Sequence, residues 1–152
     1  MPKVIDLFSG VGGLSIGFKN CGYDIIYANE FDVDIAESYS ANHQNTIVDT
    51  TDINEININK VFNDYKNVDV VVGGPPCQGY SQKGQRLGLN DSRNFLFKKF
   101  LEIVDFVKPK VFLIENVPNI ITTHNGFFLK NIQYYFSKSN YIITSQTLNS
   151  YF

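Results

Sequence analysis

Val68-Asp69-Val70-Val71-Val72-Gly73-Gly74-Pro75-Pro76-Cys77-Gln78-Gly79-Tyr80-Ser81 joins a β-branched run to a rigid turn that presents a thiol. The run reads as a fully buried strand. The glycines allow a sharp exit and close approach by a ligand, and the prolines fix φ and stiffen the turn. Cys77 is thereby expected at the carboxyl end of a strand, where open α/β sheets bind ligands. A rigid loop with an incidental small hydrophobe reads the same in isolation, so the remaining chain has to discriminate.

Outward from this stretch, strands and helices alternate, the pattern of a parallel sheet with crossover helices. Strands are expected over 3–8, 24–29, 46–48, 68–72, 111–115 and 141–148. Helices are expected over 13–20, 33–42, 94–107 and 126–137, with an irregular Asn-rich piece over 54–65 and a long loop over 76–91. The fold class is α/β, with helices on both faces of a mostly parallel sheet.

Bulk properties narrow the function. The chain has 152 residues, 43% hydrophobic and 18% charged, which suits one globular domain with a real core. Cys21 and Cys77 make no disulfide framework and suggest a reducing, cytoplasmic setting. With only His43 and His124 beside them and no metal-ligand spacing, no metal is expected. The chain opens almost directly into Val4-Ile5-Asp6-Leu7-Phe8, and no apolar run approaches a membrane span, so neither signal peptide nor membrane is expected. Charge is uneven: residues 1–76 carry 4 basic and 11 acidic side chains, residues 77–152 carry 9 and 4. A cationic second half suits a polyanionic partner, although chance patchiness produces as much.

Three further constellations carry chemistry. Asp6-Leu7-Phe8-Ser9-Gly10-Val11-Gly12-Gly13-Leu14 sets glycines between a strand and a helix, where a ligand can lie against bare backbone at the helix N-terminus. A Gly-x-Gly-x-x-Gly dinucleotide turn needs glycine at position 15, which is Ser15, so a nicotinamide or flavin site is weakened. Glu30, ending the second strand, can accept the ribose hydroxyls of a nucleoside, and Asp52 past the third strand can accept an adenine amino group. Phe112-Leu113-Ile114-Glu115-Asn116-Val117 ends an apolar strand on a carboxylate, whose desolvation raises its pKa. Neighbouring strands lie about 5 Å apart, so Cys77 and Glu115 are expected to face one another, a thiol for addition to a ring beside an acid for proton donation. A strand-end Glu held by backbone donors is the bland alternative.

The first-turn motif, Pro75-Pro76-Cys77-Gln78-Gly79-Tyr80-Ser81 and Glu115-Asn116-Val117 closely resemble the ordered motifs of cytosine-C5 DNA methyltransferases. Asp91-Ser92-Arg93-Asn94 resembles the segment closing that family's catalytic loop. The resemblance implies a Rossmann-like S-adenosylmethionine-dependent fold in which Cys77 adds to C6 of a target cytosine and Glu115 contacts N3 and the exocyclic amine. Asn116 would help hold the loop. Asp6, Phe8, Gly10, Gly12, Gly13 and Leu14 would form the cofactor turn, with Phe8 against the adenine. Glu30 would hold the ribose, Phe31 pack on the adenine, Asp52 and Ile53 frame its edge, and Pro76 and Leu96 line the remaining wall. Double-stranded DNA is the implied partner, its target base flipped out, with Gln78, Ser81, Lys83, Arg86 and Arg93 assigned to DNA.

The sequence holds no Gln-x-Arg-x-Arg stretch and no target-recognition domain, both of which follow in complete relatives. The sheet is therefore expected to be incomplete at its C-terminal end, with unpaired edges and a tendency to associate. Three states stay open: part of an enzyme completed by a second chain, a remnant that only binds cofactor, or a transfer-RNA cytosine methyltransferase.

Overall fold

The computed structural model describes residues 1–76, 94–118, 126–137 and 141–149. Residues Met1–Glu115 form one compact unit and Asn116–Phe152 a second.

The first unit is built on a five-stranded sheet, all of whose pairings are parallel. Its strands are β1 (Lys3–Leu7), β2 (Asp24–Asn29), β3 (Ile47–Asp49), β4 (Val70–Gly73) and β5 (Val111–Ile114), in the order β3-β2-β1-β4-β5. Helices α1 (Gly13–Asn20), α2 (Val33–Asn42) and a short α3 (Ile58–Val61) fall between β1 and β4, and α4 (Asn94–Val107) precedes β5. The expected elements of this unit form with at most small shifts at their ends. The Asn-rich 54–65 piece is not wholly irregular, because Asn57 caps α3 by accepting from the Lys60 amide, and a 3-10 turn follows at Asn63–Tyr65.

Side chains alternate across a strand, and the packing follows that alternation. Val4, Ile25, Val70 and Val72 form one face, covered by Leu14 and Phe18 of α1 together with Tyr23. Gly73 faces the other way, against the ring of Phe100 on α4. Phe100, Leu101, Ile103, Val104 and Val107 are all buried. Helices therefore cover both faces, as expected. Gly73 has a packing role that the sequence did not reveal. A Cβ on Gly73 would collide with the Leu7 carbonyl and come within 2.9 Å of Phe100, so its bareness serves strand packing.

The chain winds from β1 out to β3, then crosses back to β4 on the other side of β1. The switch point thus lies between the carboxyl ends of β1 and β4, paired there as Leu7 with Gly73.

In the second unit, α5 (Phe127–Phe136) starts at Gly126 with φ 72° and buries Phe136, whose ring meets Tyr141 edge-on at 5.5 Å. The strand expected over 141–148 does not form: this segment pairs with no strand among the described residues, and Ile142 and Leu148 are exposed. β-branched residues favour a strand only where a neighbour supplies ladder and packing. No helix of the described residues is long and apolar enough to cross a membrane.

Candidate functional site

The turn after β1 is wound through three left-handed residues, Phe8 (φ 57°), Gly10 (φ 55°) and Gly12 (φ 91°). For Phe8 this conformation is strained, which marks the turn as held by its surroundings. The Ser9 amide donates to the Asn29 carbonyl at 3.1 Å and the Gly12 amide to the Ser9 carbonyl at 3.0 Å. Gly12 is the N-cap of α1 and supplies no side-chain cap. A Cβ there would run into the buried rings of His43 and Tyr39. Gly10 and Gly13, by contrast, have open space where a Cβ would stand.

Glu30 connects this turn to the next. One carboxylate oxygen accepts from the Gly10 amide at 2.9 Å and the other from the Asp32 amide at 3.0 Å. Each oxygen has acceptor capacity left for a ligand hydroxyl. The Glu30 amide donates to the Asp49 carbonyl, and the Asn29 amide group donates to the carbonyls of Asp49 and Thr51. Asp49 also accepts from the Tyr27 hydroxyl at 2.7 Å. Burial works against the Asp49 charge, but hydrogen bonds from Thr51 and Tyr27 outweigh it and hold the carboxyl below the ordinary range.

The other expected cofactor residues are placed unevenly. Phe31 is 67% exposed beside Glu30, a bare aromatic surface. Phe8, Pro76 and Leu96 are half-buried. Asp52 is half-buried and accepts from the backbone amide and side chain of Asn54. Ile53 is buried in the core, and Leu14 packs on the α1 face of the sheet.

Asp6 is buried, and that desolvation raises its pKa to about 6, with the nearby Glu30 charge adding to it and a hydrogen bond from Ser15 opposing. Ser15 donates to one Asp6 oxygen at 2.6 Å, and the other has no partner. The Ser9 hydroxyl and both His43 ring nitrogens are likewise buried and unpaired. These are the unpaired buried side-chain polar atoms found among the described residues, and all belong to the turn or pack behind it.

Across the switch point, β4 and β5 are neighbours as expected, Gly73 pairing with Ile114. The Glu115 amide donates to the Gly73 carbonyl at 3.0 Å, and the Glu115 carboxylate stands 3.4 Å from where a Gly74 Cβ would be. The carboxylate therefore lies beside Gly74, at the exit from β4 into Pro75 and Pro76. Its environment differs from expectation: Glu115 is exposed, not desolvated, because β5 is the last strand of the described sheet. The Asn116 side-chain oxygen accepts from the Val117 amide at 2.9 Å. Cys77, Gln78, Ser81, Lys83, Arg86 and Arg93 lie outside the described residues.

Sequence reasoning did not single out Tyr39, or find a positive role for Ser15 and His43. Their signals were slight: Tyr39 and His43 are four apart on α2 and its C-cap, and Ser15 occupies the place of a dinucleotide glycine.

Comparison with known proteins identifies the family. Residues 2–152 match the family of C-5 cytosine-specific DNA methylases. The type II methyltransferase M.FnuDI of Fusobacterium nucleatum is 38% identical over 98% of this chain, which spans 42% of that relative. M1.HphI of Haemophilus parahaemolyticus is also 38% identical, over 96% of this chain and 40% of its own length. Among solved structures, an E. coli prophage-encoded protein described as a DNA modification methyltransferase superposes with a TM-score of 0.75 at 34% identity, covering 91% of this chain and 38% of that one. The S. pombe Dnmt2 methyltransferase gives 0.67 at 25% identity over 88% of this chain and 42% of its own. The chain thus spans about two-fifths of the length of these relatives. With matching sequence from end to end and the same sheet beneath it, this chain belongs to the C-5 cytosine-specific DNA methylase family.

Proposed function

We propose that this chain is the catalytic portion of a type II DNA cytosine-C5 methyltransferase that needs a further portion for turnover. The observation that carries the reading is the juxtaposition at one switch point of the left-handed glycine turn, the Gly74-Pro75-Pro76 exit of β4 and the Glu115 carboxylate beside Gly74.

The residues of the first turn fit S-adenosylmethionine. Gly10 and Gly13 leave room, Glu30 keeps acceptor capacity, and Phe31 offers an exposed ring for a purine. When bound, this cofactor supplies an electrophilic methyl group. Glu30 would take the ribose hydroxyls, Asp52 the adenine amine, and the backbone at Gly10 and Gly12 the methionine part.

On the DNA side the target cytosine has to leave the stack, since its ring carbons are inaccessible in a duplex. A free cysteine thiol has a pKa of about 8.5, so Cys77 has to lose its proton on attack. Its sulfur bonds to C6, and the ring electrons move to make C5 nucleophilic. Glu115 holds N3 and the exocyclic amine while charge builds there. After C5 has gained its methyl group, loss of the C5 proton restores the double bond and expels the Cys77 thiolate. Lys83, Arg86 and Arg93 would contact phosphates, and Gln78 and Ser81 the strand near the target.

Titration calorimetry with S-adenosylmethionine and a methylation assay on mixed-sequence duplex DNA test this. The chain is expected to bind the cofactor and to methylate nothing alone. Addition of a second chain carrying a relative's C-terminal portion is expected to give turnover that Cys77→Ser abolishes. Tighter binding of NAD than of S-adenosylmethionine would overturn the cofactor assignment. Robust turnover by the chain alone would overturn its dependence on a partner, and turnover on transfer RNA but not on DNA would reassign the substrate.

A further inference from the structure

We infer that Tyr39 is a positioning residue for the cofactor turn, acting through Ser15 on Asp6 and through His43 on Gly12. The inference rests on the reading that this turn holds S-adenosylmethionine.

Tyr39 projects from α2 and is fully buried. Its hydroxyl and the Ser15 hydroxyl are 2.7 Å apart. Ser15 has a single proton and gives it to Asp6 at 2.6 Å, so the Tyr39 phenol donates to Ser15. The resulting chain runs from α2 through the first turn of α1 to Asp6 in β1. It fixes the rotamers of two side chains that flank the glycine turn, Asp6 ahead of it and Ser15 behind it.

The ring does the second task. Tyr39 stacks on His43 with centroids 4.2 Å apart and planes 28° from parallel. His43 in turn lies against Gly12, and the Tyr39 ring itself passes 3.0 Å from where a Gly12 Cβ would be. The left-handed Gly12 backbone is therefore backed by two stacked rings. Its amide, which closes the turn onto the Ser9 carbonyl, cannot retreat without displacing them. Ser15 also gains a reason here: a glycine in its place would leave both the phenol and an Asp6 oxygen without this partner.

A Tyr39→Phe variant keeps the stack and removes only the hydroxyl, and Ser15→Ala breaks the same chain one link on. Both would be made in the full chain and examined by amide NMR without ligand, and by calorimetry with S-adenosylmethionine and with 5′-methylthioadenosine, which lacks the amino-acid part. In either variant the Gly10 and Gly12 amide signals are expected to move while those of Val71 and Val104 hold. Affinity for S-adenosylmethionine should fall about fivefold, the worth of one hydrogen bond, and affinity for 5′-methylthioadenosine much less. The double variant should be little worse than either single one, because both act along one route. Equal losses for the two ligands, or signal changes spread over the core, would make Tyr39 a general stability residue and overturn the inference. So would unmoved glycine signals or unchanged affinity. If the wild-type chain fails to bind S-adenosylmethionine while the glycine signals still move, the positioning of the turn stands and the cofactor reading falls.

Discussion

Asp6 and His43 lie on either side of the same turn and respond to acid in opposite senses. Asp6 has its pKa raised from 3.8 to about 6 by burial, so the fold disfavours its charge. The folded chain takes up that proton before the unfolded chain does, and stability gained from it grows as pH falls from 6 towards 3.8. Two units correspond to about 3 kcal/mol of penalty at neutral pH. Burial, aided by the Lys19 charge, pushes His43 below its ordinary 6.5, against a small opposing pull from the Gly12 backbone. The unfolded chain then protonates first, and stability is lost as pH falls below 6.5. In wild type the two trends oppose one another above the range in which Asp49, its pKa lowered, begins to matter. Urea unfolding between pH 4.5 and 7.5 should separate them. Asp6→Asn is expected to leave a chain that weakens with acid, and His43→Phe one that strengthens. Neither His43 nitrogen makes a well-formed hydrogen bond and the pull of the Gly12 backbone is weak, so the Phe ring forfeits little, keeps the stack on Tyr39, and should add up to about 1 kcal/mol at pH 7. An acid profile unchanged in both variants would remove these two groups as its cause.

The two glycines ending β4 make a sharper test of how elements pack. Gly73→Ala would drive a methyl into the Leu7 backbone oxygen, which cannot rotate away, and into Phe100. Overpacking of this kind should cost about 3 kcal/mol and lower the urea midpoint accordingly. One residue on, a Gly74 Cβ meets Glu115 at ordinary contact distance, so Gly74→Ala should change stability by less than about 0.5 kcal/mol. Equal effects at the two positions would show that β1 and β4 are not packed as described. This contrast also marks the limit of what was legible in the sequence. Strand-helix alternation foretold β2, α2 and α4, since apolar periodicity is a local signal. The glycine turn, Glu30 and the adjacency of β4 and β5 were readable because chain order places successive strand ends on one rim. What Gly73 touches was not, because it depends on a residue 66 positions earlier in a neighbouring strand. The 141–148 segment misled for the same reason, its strand propensity being conditional on a partner that sequence does not supply. The exposure of Glu115 followed from β5 lying at the end of the sheet, again a property of arrangement and not of composition.

β5 is where the sheet is left unfinished among the described residues. Val111 and Leu113 pair with Val70 and Val72, so their side chains share the face that α1 covers over the middle of the sheet. That cover does not extend to them: Val111 is 56% and Leu113 42% exposed. An apolar strand at the end of the described sheet with one side-chain row in water is a template for association. Relatives more than twice as long as this chain have additional polypeptide with which to bury such a surface. Sedimentation of the purified chain is therefore expected to show concentration-dependent association in the micromolar range. Val111→Lys with Leu113→Lys should suppress it, since charges on an exposed strand oppose edge pairing, and should leave S-adenosylmethionine affinity within about twofold because the cofactor turn lies at the other side of β4. The same double variant should resist activation by a chain carrying a relative's C-terminal portion, if that portion docks on β5. A monomeric wild-type chain at high concentration would show that the exposed row is tolerated as ordinary surface. Association that persists in the lysine variant would place the contact elsewhere on the molecule and free β5 from any part in assembly.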